Sequence, residues 1–571
     1  MPIAVPSGPV SSRHAGSSTD EIGEALEALG RGSTGLTTMT VARRRQLVEQ
    51  CVAGVAQHAR EWVELSCEAK GIPTSSHARA EEVMAGPLVV LRHLHLIRQT
   101  LVDVEQWGHP RLPVAAYRTG NQLRVPVFPT ANLYDSLIFR PIRAVTWMQS
   151  GVEPDNLFGE NVQRLSGAAK ISPRINLVLG AGNVSSIPIT DALTKLIQES
   201  QSVLLKMNPV NDYLGPIFEN ALAPLMAEDT LRIVYGDGAV GGQLVAQPAV
   251  TDIHITGSDK THDAIVWGRD SDEQSRRKIA NEPLLTKPIT SELGNVSPWI
   301  VVPGQYTRRQ LYFQAENIVA SIANNASFNC VATKMLITCR DWPRREALLD
   351  QIESILSTIP ARAAFYPGAG ERFARFTNSA LIDGDTGTLP WSLLRDVTPA
   401  GMPHLFAEES FTCVCGETAL NASNECEFLD RAVDFANERL WGTLSAGMTV
   451  TSSLQNSQSA ELDEAISKLR YGTIGVNQWP GVAFALMSTP WGGFPSKDPR
   501  DVQSGAGTVH NTYLLDRPEK TVLSSPLTIS PKPMWFSTHR RPEALAWRMV
   551  ELYSKPAAWK IVPVIANALR G

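Results

Sequence analysis

The sequence has no apolar run of roughly 18 residues or more, so no segment reads as a membrane span. It also lacks an excess of positive charge. The 52 Lys and Arg against 57 Asp and Glu give a net charge of −5, which leaves no basic footprint for nucleic acid. Cysteine is sparse. Seven in 571 residues, an odd number in a long chain, argue against a disulfide framework and for a reducing, cytoplasmic setting. Cys413 and Cys415 stand two apart, but no second pair or histidine cluster completes a ligand set, so both are assigned to a core and no metal is expected. The first twenty residues are rich in Ser, Pro and Gly and lack the apolar stretch of a secretory signal; residues 1–19 are expected to form a disordered tail.

The hydrophobic fraction of 43% and charged fraction of 19% suit a globular protein, and the length exceeds one compact core, so two or more domains are expected. Apolar residues at three- and four-residue spacing (Leu47, Val48, Cys51, Val52, Val55, Trp62, Leu65) predict helix over 42–69, and a second helical stretch follows over 78–104. Between 110 and 171 short strand-like runs appear, at 136–139 and 144–148, separated by Pro and Gly. From 174 to 291 strands (175–179, 202–206, 231–235, 253–256) alternate with helices (191–199, 213–226). That alternation predicts an α/β fold with a parallel sheet covered on both faces. Such sheets bind ligands at the carboxyl ends of their strands, so the loops there are the place to look.

Two glycine-containing turns follow strands: Gly180-Ala-Gly182-Asn183 and Gly236-Asp-Gly238-Ala-Val-Gly-Gly242. Either is a tight turn of any α/β sheet or a close backbone approach to a phosphate. The order of the later segments is more specific. Val203-Leu-Leu-Lys206 ends a strand, Thr256-Gly257-Ser258 ends another, and Ser291-Glu292-Leu-Gly294-Asn-Val-Ser-Pro298 follows. Then come Asn325-Ala-Ser-Phe-Asn-Cys330, Glu408-Glu409-Ser-Phe411, Pro490-Trp-Gly-Gly-Phe-Pro and Ser504-Gly-Ala-Gly507. Taken in order, from about residue 20 to about 520, these segments resemble the aldehyde dehydrogenase superfamily, of which this chain would be a divergent member.

The resemblance implies a Rossmann-type cofactor domain (20–130 and 173–291), an α/β catalytic domain (292–507) and a strand-rich flap (131–172 and 508–528) that pairs with another subunit in a homodimer or homotetramer. A C-terminal extension (529–571) remains, either a helical cap on its own domain or partner, or a membrane-surface contact. The resemblance also implies the chemistry. Cys330 would add to an aldehyde carbonyl, since a thiolate is a strong nucleophile near neutral pH. The Asn183 amide and the Cys330 backbone N–H would be aimed at the resulting oxyanion. Glu292 would act as general base on the water that cleaves the thioester. Lys206, Gly238, Gly242, Thr256, Gly257, Ser258, Gly294, Glu409 and Phe411 would hold the dinucleotide.

Several positions depart from the family pattern. Met207-Asn208-Pro209 stands where many members have Pro-Ser-Glu, and that glutamate usually bonds the adenosine ribose hydroxyls, so NAD and NADP both stay open. Ser327-Phe328 replaces Gly-Gln, Asn295 replaces a glycine, and Ala181-Gly182 replaces Pro-Trp, which leaves the aldehyde unidentified. Cys330-Val331-Ala332 also resembles the CoA-acylating branch, an acyl-CoA reductase chemistry on the same cysteine; Glu292 favours hydrolysis. A non-catalytic scaffold is a third possibility, against which Cys330 and Glu292 both speak.

Overall fold

A computed structural model describes residues 12–170, 172–379, 387–496 and 498–571 of the chain. The periodic apolar residues of the N-terminal part form the helix Val41–Ala69, capped by Thr40, with Leu47, Cys51, Val55 and Trp62 on its buried side. The second helical stretch is interrupted. Arg79–Val83 runs into a π-helical turn, Met84–Leu88, before Val89–Trp107 continues. Pro87 lies in that turn, where its missing N–H breaks the regular ladder.

Two expectations bear on the structure here. The stretch 133–138 is a helix, Leu133–Ile138, not a strand at 136–139, because the Asn132 side chain accepts the Tyr134 N–H (2.9 Å) and starts a helical turn. The second concerns the tail. Residues 1–11 lie outside the described residues, but 12–18 are held against the body of the protein. The Arg13 N–H donates to Asp212 (3.0 Å), the His14 ring stacks on Tyr235 at 4.3 Å, and Ser18 caps the helix Thr19–Leu36.

Alternating strands and helices build a six-stranded sheet in the order Gly505–Ala506, Ile289–Glu292, Asp252–Thr256, Ile175–Leu179, Ser202–Lys206, Leu231–Val234. The last five are parallel, as the alternation requires. From Ile175–Leu179 the chain moves to one side for two strands and then returns to the other. The crevice at the carboxyl ends of Ile175–Leu179 and Asp252–Thr256 is therefore a topological switch point, the place where such sheets take ligands.

The other sheet has ten strands in the order Tyr117–Thr119, Gln122–Phe128, Arg143–Met148, Pro518–Ser524, Thr473–Val476, Ser445–Thr449, Pro298–Val301, Met335–Cys339, Val414–Leu420, Ser392–Leu394. Gln122–Phe128, inside the span expected for the cofactor domain, pairs with Arg143–Met148 of the expected flap. Pro518–Ser524 is bonded on both sides within the chain, antiparallel to Arg143–Met148 and parallel to Thr473–Val476. Lys520 helps fix this arrangement: its buried ammonium donates to the carbonyls of Ile466 (3.0 Å), Ser467 (3.1 Å) and Leu469 (2.8 Å).

In the C-terminal extension, helix Pro542–Ser554 packs on Arg79–Val83, Val41–Ala69 and Val89–Trp107. Helix Ile561–Ala568 buries Ile561 and Val564 and leaves Val562 and Ile565 exposed. Among the described residues no helix is long and apolar enough to cross a membrane.

Candidate active site

The segment before Cys330 is strained. Helix Arg308–Ala323 ends, and Asn325, Ala326 and Ser327 all adopt left-handed backbone angles, with φ of 52°, 54° and 67°. Each such residue costs roughly 1–2 kcal/mol, so the loop must be held by its surroundings. Two buried lysines do so. The Lys70 ammonium donates to Glu82 (2.8 Å), the Asn325 side-chain oxygen (2.9 Å) and the Asn183 carbonyl (3.1 Å). Lys334 donates to the Ser327 hydroxyl (2.7 Å), the Ser327 carbonyl (3.0 Å) and the Thr412 carbonyl (2.8 Å). The Asn325 amide completes the turn by donating to the carbonyls of Asn183 (2.9 Å) and Phe328 (2.8 Å).

At the end of this loop the Cys330 thiol donates to Glu292, with Sγ 3.4 Å from Oε1. Glu292 closes the strand Ile289–Glu292, and its carbonyl accepts the Gly257 N–H at 3.0 Å. Burial raises its carboxyl from an ordinary 4.5 to about 7; the charge of Asp191 adds to the rise, while Trp491 and Cys330 oppose it. Asp191 is placed by the Thr256 hydroxyl, which donates to it at 2.7 Å from the strand position paired with Glu292. Burial, then the charges of Glu292 and Glu409, push the Cys330 thiol well above its ordinary value. A thiol held protonated beside a carboxyl poised near neutrality can pass its proton to that carboxyl. Asn183 lies nearby, one of its amide protons given to the Phe328 carbonyl at 3.1 Å.

All twelve residues nominated from the sequence line one cavity of about 2100 Å³ at the switch point. The structure gives them different situations. Lys206, pushed down to about 8 by burial, makes no ion pair among the described residues. Glu409 is half-buried, its Oε1 enclosed and lacking a partner among the described residues, and desolvation raises its carboxyl. Gly294 makes room for it: a Cβ there would stand 2.2 Å from Glu409 Oε2. Phe411, left-handed at φ 43°, packs edge-on to Tyr366 at 5.0 Å. The Thr256 hydroxyl is committed to Asp191, and Ser258 caps helix Asp259–Val266, so their contribution to a ligand falls to backbone and exposed groups. Gly238 opens helix Gly238–Ala246, which also contains Gly242; Asp237 accepts the N–H groups of Ala239 (2.8 Å) and Val240 (3.2 Å) there. Sequence reasoning missed Lys70, Glu82, Lys334 and Asp191. None carries a local signal, since each acts on residues distant in the chain.

Cys330 also lines a second, apolar cavity, beside Val331, Trp479 and Phe484. None of the seven cysteines is disulfide-bonded, and Cys413 and Cys415 are buried in the core.

No family model matches the chain, and no curated protein matches it. Solved structures do. A putative aldehyde dehydrogenase from Burkholderia cenocepacia aligns at 17% identity over 92% of this chain and 96% of its own, with a TM-score of 0.58. Aldehyde dehydrogenase C of Pseudomonas syringae, solved with NAD+ and octanal, aligns at 16% identity over 92% of this chain and 93% of its own, TM-score 0.60. A glyceraldehyde-3-phosphate dehydrogenase of Methanocaldococcus jannaschii, solved with NADP, aligns at 14% identity over 91% and 99%, TM-score 0.58. Likeness over nearly the full length at such low identity is a likeness of architecture, and the chain has the fold of the aldehyde dehydrogenase superfamily.

Proposed function

We propose that the protein is an NAD(P)-dependent aldehyde dehydrogenase that converts an aldehyde and water to a carboxylic acid through a thioester on Cys330. The observation that carries this reading is the Cys330–Glu292 pair, 3.4 Å apart where the large cavity meets the apolar one. In the ionised state Glu292 takes the thiol proton, and sulfur adds to the aldehyde carbon. The oxyanion so formed is met by the Cys330 N–H and the second amide proton of Asn183; losing such a donor raises a barrier by about 2.7–4 kcal/mol.

The large cavity suits a dinucleotide. Lys206 makes no ion pair among the described residues, and Glu409, given room by Gly294, keeps a free acceptor. Lys206, Gly238, Gly242, Gly257, Ser258, Glu409 and Phe411 would hold it. An oxidised nicotinamide dinucleotide held there would supply the hydride acceptor that lets the tetrahedral adduct on Cys330 collapse to thioester. Glu292 then releases the thiol proton to solvent and takes a proton from the water that cleaves the thioester; the acid leaves and Cys330 is restored. The neighbours solved with NAD+ and with NADP support a nicotinamide cofactor without choosing between the two.

The test is reduction of NAD or NADP followed at 340 nm with an aldehyde panel, with and without CoA, for the native protein and Cys330→Ala. Turnover without CoA, abolished by the substitution and accompanied by an acyl adduct on Cys330 in intact mass spectra, is expected. Turnover that survives Cys330→Ala would remove the proposal, and an absolute need for CoA would replace hydrolysis by acyl transfer.

A further inference from the structure

The apolar cavity on the other side of Cys330 bears on the substrate. It measures about 120 Å³. An apolar cavity of about 150 Å³ takes a benzene ring and stays dry without one, so this chamber is sized for one ring or a short alkyl chain. Trp479, Val482 and Phe484 form one side, and Met534, Trp535 and Met549 from the C-terminal extension form another. The extension therefore does more than cap the helices beneath it; it closes the chamber that opens on the nucleophile.

Two charged side chains reach this chamber, and both are committed. The Arg92 guanidinium donates to both carboxylate oxygens of Asp135 (2.6 and 2.8 Å) and to the Leu486 carbonyl (2.7 Å). Glu81 accepts from Arg362 (3.1 Å) and from the Asn325 N–H (3.0 Å). The indole N–H of Trp491 faces Glu292 and that of Trp535 finds no partner among the described residues, yet a lone neutral donor does not compensate a buried anion. A carboxylate or phosphate on the far end of a substrate would lose its hydration here and gain no cation.

We infer, on the reading of Cys330 as the nucleophile, that the substrate is a neutral aldehyde with a compact apolar group of about the size of a benzene ring. Met549 and Trp535 of the C-terminal extension set that size. The chamber selects by filling: each methylene well placed in such a site changes kcat/KM by about 10–200-fold.

The experiment compares kcat/KM for benzaldehyde, hexanal, propanal, succinic semialdehyde and glyoxylate with each cofactor. Benzaldehyde and hexanal are expected to exceed propanal by roughly tenfold and the two anionic aldehydes by roughly a hundredfold. Met549→Trp narrows the chamber and is expected to lower the benzaldehyde-to-propanal ratio about tenfold. Met549→Ala widens it and is expected to move preference toward 2-naphthaldehyde, which keeps the test open if the tryptophan variant does not fold. Succinic semialdehyde turned over as well as benzaldehyde would overturn the inference and leave Cys330 catalysis standing. Ratios unmoved in both variants would overturn the role of the extension. Turnover of no aldehyde with either cofactor would take down the catalytic reading and this inference together.

Discussion

Glu292 is held where ionisation is costly, and the cost has two measurable consequences. The first is kinetic. Its carboxyl ionises near 7, and the ionised form is the one that takes a proton from Cys330, so kcat/KM is expected to rise with pH through about 7 and level above it. Glu292→Gln is expected to lower turnover at pH 8 roughly a hundredfold or more and to abolish that limb of the profile. The second is thermodynamic and has the opposite sign. The folded value lies above the unfolded 4.5, so the fold favours the protonated form. The associated stability is complete below about 4.5 and is lost as pH rises through about 7. The glutamine variant carries no such loss. Its melting temperature relative to the native protein is therefore expected to climb between pH 5 and pH 8, by an amount equivalent to about 1–3 kcal/mol. An inactive variant that melts lower than the native protein at pH 8 would contradict this account of the residue.

At the scale of the element, the strained turn 325–327 shows why the site was only partly legible in the sequence. Asn325 and Cys330 stand in one recognisable segment, and the residue types there point to a nucleophile. What holds the turn does not stand nearby: Lys70 is 255 residues from Asn325 and 113 from Asn183. A lysine at the end of an amphipathic helix reads as solvated, and only the tertiary structure buries it to 5% exposure against Glu82. Two substitutions probe the device. Lys70→Met leaves Glu82 buried and unpaired and is expected to cost about 3–5 kcal/mol in thermal unfolding. Adding Glu82→Leu removes the stranded charge and is expected to restore most of that stability while turnover stays low, because the Asn325 oxygen still lacks its donor. Recovery of both together would mean that Lys70 serves the core alone. Ala326→Gly acts on the backbone instead. At φ 54° glycine relieves the left-handed strain, and the variant is expected to gain about 1 kcal/mol.

For the whole molecule, periodicity located the long N-terminal helices and four parallel strands of the six-stranded sheet, because those signals lie within a dozen neighbouring residues. Strand neighbours far apart in the chain left no such trace. Trp147 and Lys520 are register partners across more than 370 residues, and nothing local to either names the other. The resemblance to a known family implies the flap and its pairing with another subunit. Here the strand Pro518–Ser524 fills the gap between Thr473–Val476 and Arg143–Met148 of its own chain, with Leu523 fully buried and Lys520 tied to three carbonyls. A strand completed in this way draws its protection from folding, not from association. Amide exchange at Val522 and Leu523 is therefore expected to be slow and to keep the same rate when the protein is diluted from micromolar to nanomolar concentration, as read by mass spectrometry of the peptide spanning 518–524. A strand shared between subunits would instead lose protection on dilution, since its partner would leave with the other chain. Exchange that accelerates with dilution, at unchanged protection of Ile175–Leu179, would mean that this edge is completed in trans and that the ten-stranded sheet is an assembly of two chains.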